Sequence, residues 1–176
     1  MPLAHHQVRK VELMELTGTS PPDLVVQARE LLLEYGRFVI SRPAAARFCF
    51  AALEQEAERL PLRYQEQGGG ALVGLVDETL AGFVAWRRVP GELGLDSWEL
   101  KRLWVRPQAR GTGLGRTLTQ AVLDRAAAAG LRAVYLDTVP SAMASAHKLY
   151  LEMGFKPCPP YGTNPMPELA YLRKDL

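Results

Sequence analysis

Cysteine is nearly absent. Cys49 and Cys158, the only two among 176 residues, cannot build a disulfide framework and have no zinc-type pair spacing, so a reducing cytoplasm is the expected location. Charge of one sign is also lacking. Lys and Arg number 21 against 19 Asp and Glu, a net +2, too little for a whole-molecule nucleic-acid footprint. No apolar run approaches the ~18 residues of a membrane span, and residues 1–10 lack the apolar stretch of a signal peptide. His5, His6 and His147 show no ligand spacing with cysteines or carboxylates, so no metal is expected. Repeats, low-complexity tracts and linkers are missing, which leaves residues 1–176 as one expected domain without nucleic-acid or membrane partners. What remains is ordinary for a globular chain, with 48% apolar and 23% charged residues. That is enough for a core that needs no covalent staple.

Periodicity predicts the elements. Residues 8–16 alternate as a strand, and Thr19, Ser20, Pro21 and Pro22 open a helix carrying Leu24, Ala28, Leu31, Leu32 and Tyr35 on one face. A second helix places Ala46, Phe50, Leu53, Ala57 and Leu60 in a stripe that Pro61 ends. Residues 71–76 and 80–89 are β-like and flank a hairpin turn at 77–79, and 98–105 form a further strand. Leu114, Leu118, Ala121 and Val122 mark a helix closed by Gly130, and 133–137 a short strand. Ser141 is the expected N-cap of a last helix bearing Ala142, Ala146, Leu149, Tyr150 and Met153, closed by Gly154. A stretch containing Pro157, Pro159, Pro160, Pro165 and Pro167 leads to a final strand near 169–172. The order β-α-α-β-β-β-α-β-α-β implies a mixed α/β (α+β) domain with a mostly antiparallel sheet flanked by helices.

The most informative segment joins a strand to a helix through Arg110, Gly111, Thr112, Gly113, Leu114, Gly115 and Arg116. Alternate glycines let backbone approach a ligand and let successive N–H groups converge on one anion. The helix that follows adds unpaired N–H groups and the positive end of its dipole. With Arg106 nearby as well, the turn suits a phosphate or pyrophosphate. A Walker loop is excluded because no Gly-Lys-Ser/Thr follows, and a dinucleotide fingerprint because position 116 is Arg116 rather than glycine.

On these residues the chain resembles the GNAT superfamily of acyl-CoA-dependent N-acyltransferases, whose signature is Arg/Gln-x-x-Gly-x-Gly/Ala. The likeness extends back over 99–107 and forward over 146–155, and the element order agrees. Residues 136–140 and 161–167 resemble an uncharacterised bacterial subgroup. The resemblance implies acetyl-CoA as co-substrate, with its pyrophosphate on Arg110, Gly111, Thr112, Gly113, Leu114, Gly115 and Arg116. It implies a splayed strand pair whose free backbone at Leu103, Trp104 and Val105 meets the pantetheine arm and the acetyl group.

For the chemistry, the resemblance places Tyr150 where a tyrosine protonates the leaving thiolate, although its apolar stripe equally fits a core residue. Glu99 stands where a carboxylate base is found, and the alternative is a strand glutamate paired with Lys101 or Arg102. Met143 replaces an asparagine usual in the last-helix motif. Tyr64, Trp98, Asp137, Tyr161 and Asn164 are the candidates for an acceptor pocket, each also explicable as packing or turn chemistry. The implied activity is direct transfer of acetyl to a small-molecule or peptide amine, because neither cysteine lies in an activating motif. The alternative is a CoA-binding sensor without turnover. Monomer and homodimer stand equally.

Overall fold

The computed structural model describes residues 9–176 apart from 46, 165 and 167. Val8, Ala46, Pro165 and Pro167, expected in a strand, a helix and a loop, lie outside the described residues, as do His5, His6 and most of residues 1–10. The elements run β1 (Val11–Leu16), α1 (Pro22–Ile40), α2 (Phe50–Glu58), α3 (Leu62–Gln65), β2 (Gly70–Val76), β3 (Thr79–Arg88), β4 (Ser97–Val105), α4 (Leu114–Ala128), β5 (Ala133–Thr138), α5 (Ala144–Glu152), β6 (Lys156–Pro157) and β7 (Ala170–Asp175). One seven-stranded sheet, ordered β1-β2-β3-β4-β5-β7-β6, is antiparallel except where β4 lies parallel to β5.

Alternation along the central strands sorts side chains to two faces. Leu72, Val76, Val84 and Trp86 meet Leu114, Leu118, Val122 and Ala126 of α4 on one face. Ala71, Val73, Phe83 and Ala85 meet Ala28, Leu31 and Leu32 of α1, and Leu53 and Ala57 of α2, on the other. The β2–β3 hairpin turns at Asp77 and Glu78, both at positive φ (48° and 64°), the geometry that matches strand twist in a two-residue loop. Close packing of α4 requires two small residues beneath it. A Cβ on Gly74 would stand 2.4 Å from Leu114, and one on Gly82 2.8 Å from Leu114.

Three sequence expectations shift. The second helix starts at Phe50, because residues 43–45 form a separate 3-10 turn and Cys49 is extended (φ −87°, ψ 95°). The last helix starts at Ala144 rather than after Ser141. The amides of Ala142 and Met143 both donate to the Val139 carbonyl, and the Ser141 hydroxyl turns away to Glu168 (3.0 Å). Helix α3 and the two-residue strand β6 are additions too short for periodicity to reveal.

Candidate active site

The β4–β5 ladder pairs only Ser97–Ala133, Trp98–Val134 and Glu99–Tyr135. Beyond Glu99 the two strands part, so the β5-facing edge of residues 100–105 has no strand partner. This is the expected splay. Over the same stretch the register of β4 against β3 steps from Phe83–Trp104 to Ala85–Lys101, one extra residue on β4. Arg102 carries this bulge at φ +60°. A left-handed backbone costs a non-glycine residue about 1–2 kcal/mol. The Arg102 guanidinium offsets that by a two-pronged pair with Glu56, at 3.1 Å from Nε and 3.1 Å from Nη2.

A groove of about 610 Å³ runs from the splay to the start of α4. Its lining includes Leu103, Trp104, Val105, Arg110, Gly111, Gly113, Leu114, Gly115 and Arg116, with residues 141–146 and Leu149 opposite. Gly111 (φ +79°) and Gly113 (φ +85°) adopt the left-handed region, and a Cβ on either would meet no protein atom within 4 Å. The backbone there is bare toward the groove, and Gly113 sits as the N-cap of α4, so the first amides of α4 face the same space. Arg42, Arg110 and Arg116 bring positive charge, Arg116 while also pairing with Glu152 at 3.0 Å on the exposed side. These features fit the pyrophosphate of coenzyme A: bare backbone, helix N-terminus and three guanidinium groups.

At the inner end, a cavity of about 70 Å³ shares Leu103, Ala142, Met143 and Ala146 with the groove. Its polar lining is Tyr35, Lys101, Arg102, Asp137, Thr138, Tyr150 and Asn164, and the rest is mainly apolar. Tyr150 is 5% exposed, and its ring packs edge-on against Phe155. No described residue hydrogen-bonds its hydroxyl. Burial, helped by Tyr35 and Asp137, pushes this phenol well above its ordinary 10, so it keeps its proton throughout the physiological range.

The two candidate carboxylates differ in access. Glu99 is 3% exposed and does not border the cavity. Arg87 Nε donates to it at 2.9 Å, Lys101 Nζ at 3.3 Å and the Tyr161 hydroxyl at 3.1 Å. Asp137 does border the cavity. Asn164 Nδ2 donates to its Oδ2 at 3.0 Å, while its Oδ1 stands 3.9 Å from Lys101 Nζ, outside hydrogen-bond range.

Several expected site residues stand elsewhere. Tyr64 is buried in the α1–α2 core and donates to Glu56, one step behind Arg102. Trp98 packs on Trp86, ring centres 5.7 Å apart, away from both cavities. Tyr161 lies between Tyr135 and Tyr171 and reaches the site only through Glu99. The Thr112 hydroxyl donates back to the Ala109 carbonyl (2.7 Å), and the residue does not line the groove. Leu114 gives the groove its backbone, because its side chain fills the core beneath. The Trp104 indole donates to Glu34 under α1. Arg106, counted among the arginines of the turn, is locked to Glu34 (2.7 Å) and to the Leu80 carbonyl (2.9 Å). Its place in the groove is taken by Arg42, whose guanidinium lies 4.3 Å from the Phe38 ring centre. Arg42 lies between α1 and the 3-10 turn at 43–45 and carries no motif that marks it.

A splayed β4–β5 pair, a glycine turn capping α4 and a groove joining them define the architecture of a coenzyme A-dependent acyltransferase. Residues 33–155 match the Acetyltransferase (GNAT) family, and the chain belongs to it. It is 37% identical over 78 residues to an uncharacterised N-acetyltransferase of Schizosaccharomyces pombe, covering 44% of this chain and 47% of that one. The chain spans less than half the length of each of the curated relatives it matches. A Streptococcus agalactiae acetyltransferase shares the fold with TM-score 0.73 at 22% identity, over 94% of this chain and 98% of the other. The PaiA N-acetyltransferase of Thermoplasma acidophilum, solved with coenzyme A, shares it with TM-score 0.67 at 16% identity over 95% and 99%.

Proposed function

We propose that the protein transfers acetyl from acetyl-CoA to the amine of a small acceptor, directly and within a ternary complex. The observation that carries this reading is that the glycine-turn groove adjoins a small cavity lined by both Tyr150 and Asp137, the two sharing Leu103, Ala142, Met143 and Ala146. Gly111, Gly113, Gly115, Arg42, Arg110 and Arg116 hold the pyrophosphate, and the unpaired edge of β4 between Leu103 and Val105 receives the pantetheine arm. When bound, acetyl-CoA supplies an electrophilic thioester at the splay.

Asp137 faces the acceptor and takes the proton that an ammonium must lose before it can attack. The new N–C bond forms as the C–S bond breaks, its electron pair leaving on sulfur. Tyr150 gives a proton to that thiolate, the N-protonated product passes its surplus proton to the resulting phenolate, and Asp137 releases the first proton to water, which leaves a neutral amide, a thiol and both residues as they began. Glu99, the base expected from the resemblance, is assigned a supporting part: it fixes Lys101 beside Asp137. Neither Cys49 nor Cys158 borders the groove or the cavity, which favours direct transfer over an acetyl-enzyme.

The test is thiol release from acetyl-CoA across a panel of amines, paired with calorimetric titration of CoA. Amine-stimulated release supports the reading. Tight CoA binding with no turnover across the panel would replace it with the sensor alternative.

A further inference from the structure

The bulge in β4 has a consequence for the cavity's charge. In an uninterrupted strand, neighbouring side chains face opposite sides of the sheet. The extra residue at the bulge puts Lys101 and Arg102 on the same side, and both line the cavity. Asp137 is the carboxylate among the cavity's lining residues. The anions that neutralise the two cations, Glu99 and Glu56, sit behind them and do not line it. Arg87 also donates to Glu99, so the network as a whole is balanced at three cations and three anions, but the surface seen from inside carries two cations and one anion.

That arrangement disfavours a simple amine, whose ammonium would satisfy Asp137 while adding a third positive charge beside Lys101 and Arg102. It also disfavours a polyamine, which would need several carboxylates. It suits a ligand whose ammonium and carboxylate are adjacent. Lys101 Nζ and Asp137 Oδ1 stand 3.9 Å apart without a direct hydrogen bond, and Lys101 has three donors of which Glu99 takes one. Arg102 uses Nε and Nη2 on Glu56 and borders the cavity beside Lys101. Val39, Phe48, Leu100, Met166 and Leu169 offer an apolar wall for a side chain.

Building on the acetyltransferase reading, we infer that the acceptor is a free α-amino acid with an apolar side chain. Its ammonium lies on Asp137 and its carboxylate on Lys101 and Arg102. The specificity-determining residue is Lys101, which reads the carboxylate.

The experiment measures kcat/KM on the intact protein with acetyl-CoA for matched pairs: L-leucine against 3-methylbutylamine, L-methionine against 3-(methylthio)propylamine and L-phenylalanine against 2-phenylethylamine. L-Leucinamide is the third arm, since it keeps the shape of leucine and loses the charge. The amino acids should exceed their carboxylate-free partners by about 10²-fold or more, because a site built for a polar group leaves its own groups unpaired when that group is missing. Leucinamide should fall with the amines, although its amine is the more readily deprotonated. Lys101→Met should shrink the leucine-to-amine ratio at least tenfold while CoA affinity holds.

Ligand-observed NMR of the CoA-loaded wild-type protein separates this inference from the reading it rests on. Amino-acid binding without turnover would keep the acceptor class and refute the transfer. Turnover of amines or leucinamide equal to or above that of the amino acids would overturn the acceptor class and leave the transferase intact. Neither binding nor turnover of any of the three amino acids would overturn it as well.

Discussion

Gly113→Ala isolates what the glycine turn does, because a matched control exists at the far end of the same helix. Gly113 stands at φ +85° and Gly130 at φ +72°, and a Cβ on either meets nothing within 4 Å. Alanine at each position therefore carries a similar backbone penalty, about 1–2 kcal/mol, with no steric clash to add. In a chain of this size that lowers Tm by roughly 2–8 °C at either site. The positions differ in one respect: Gly113 lines the groove and Gly130 does not. In Gly113→Ala the new methyl occupies space that phosphate must enter, so at least one charge-assisted N–H contact is lost. Such a contact contributes about 1.5–3 kcal/mol, a loss of CoA affinity of roughly ten- to hundredfold. Gly130→Ala should bind CoA as the wild type does. Thermal denaturation and calorimetric titration of both variants supply the four numbers needed. Equal CoA affinity in the two variants, at equal loss of stability, would refute the assignment of the turn to the pyrophosphate.

Tyr150→Phe keeps the ring against Phe155 and removes the proton donor, so kcat should fall by about 10²-fold with CoA affinity unchanged; full activity would return Tyr150 to the core alone. CoA binding should weaken steeply as ionic strength rises, since Arg42, Arg110 and Arg116 border an open groove, whereas pantetheine should show little dependence; a flat CoA titration would remove the arginines from the site. Acid should destabilise the fold through two carboxyls. Burial alone would raise Glu56, yet the charge and hydrogen bonds of Arg102 with the Tyr64 hydroxyl hold it below 4.5, and Arg106 with Trp104 does the same for Glu34. Each contribution is complete above 4.5 and is lost as pH falls through the lowered value. The denaturant midpoint should stay level at neutral pH and drop below that point, and Glu56→Gln should flatten part of the drop; an unchanged acid slope in that variant would exclude the Glu56–Arg102 pair as its source.

The sequence carried the backbone of this site and little of its side-chain geometry. Gly111, Gly113 and Gly115 were readable because glycine spacing before a helix reports a local requirement, positive φ and bare N–H groups, that is satisfied within a few residues. The hairpin at residues 77–78, the close of α4 at Gly130 and the two-faced central strands were local in the same sense. Arg106 was misplaced because an arginine's head travels several ångströms from its backbone. Glu34, 72 residues away in the chain, decides where it rests. Arg42 was missed for the converse reason: it enters the groove from the end of α1 through tertiary packing on Phe38.

The β4 bulge shows where local reading fails in kind. Read as a strict alternation, residues 98–105 place Trp98, Leu100, Arg102 and Trp104 on one face and Glu99, Lys101, Leu103 and Val105 on the other. In the structure Leu100 and Leu103 share the α4-facing core, while Trp104 joins the α1 side. One inserted residue exchanges the face of every side chain after it. Nothing in the identities of Lys101 and Arg102 announces this, since both are at home on a strand's exposed edge. The insertion is braced by Glu56 of α2, which reaches the Arg102 guanidinium across 46 residues of chain. The same pair thus holds the backbone in its left-handed step, and that step sets Lys101 and Arg102 together on the cavity. A substitution at Glu56 that kept the fold would therefore be expected to alter the cavity before the groove, and acceptor kinetics before CoA affinity.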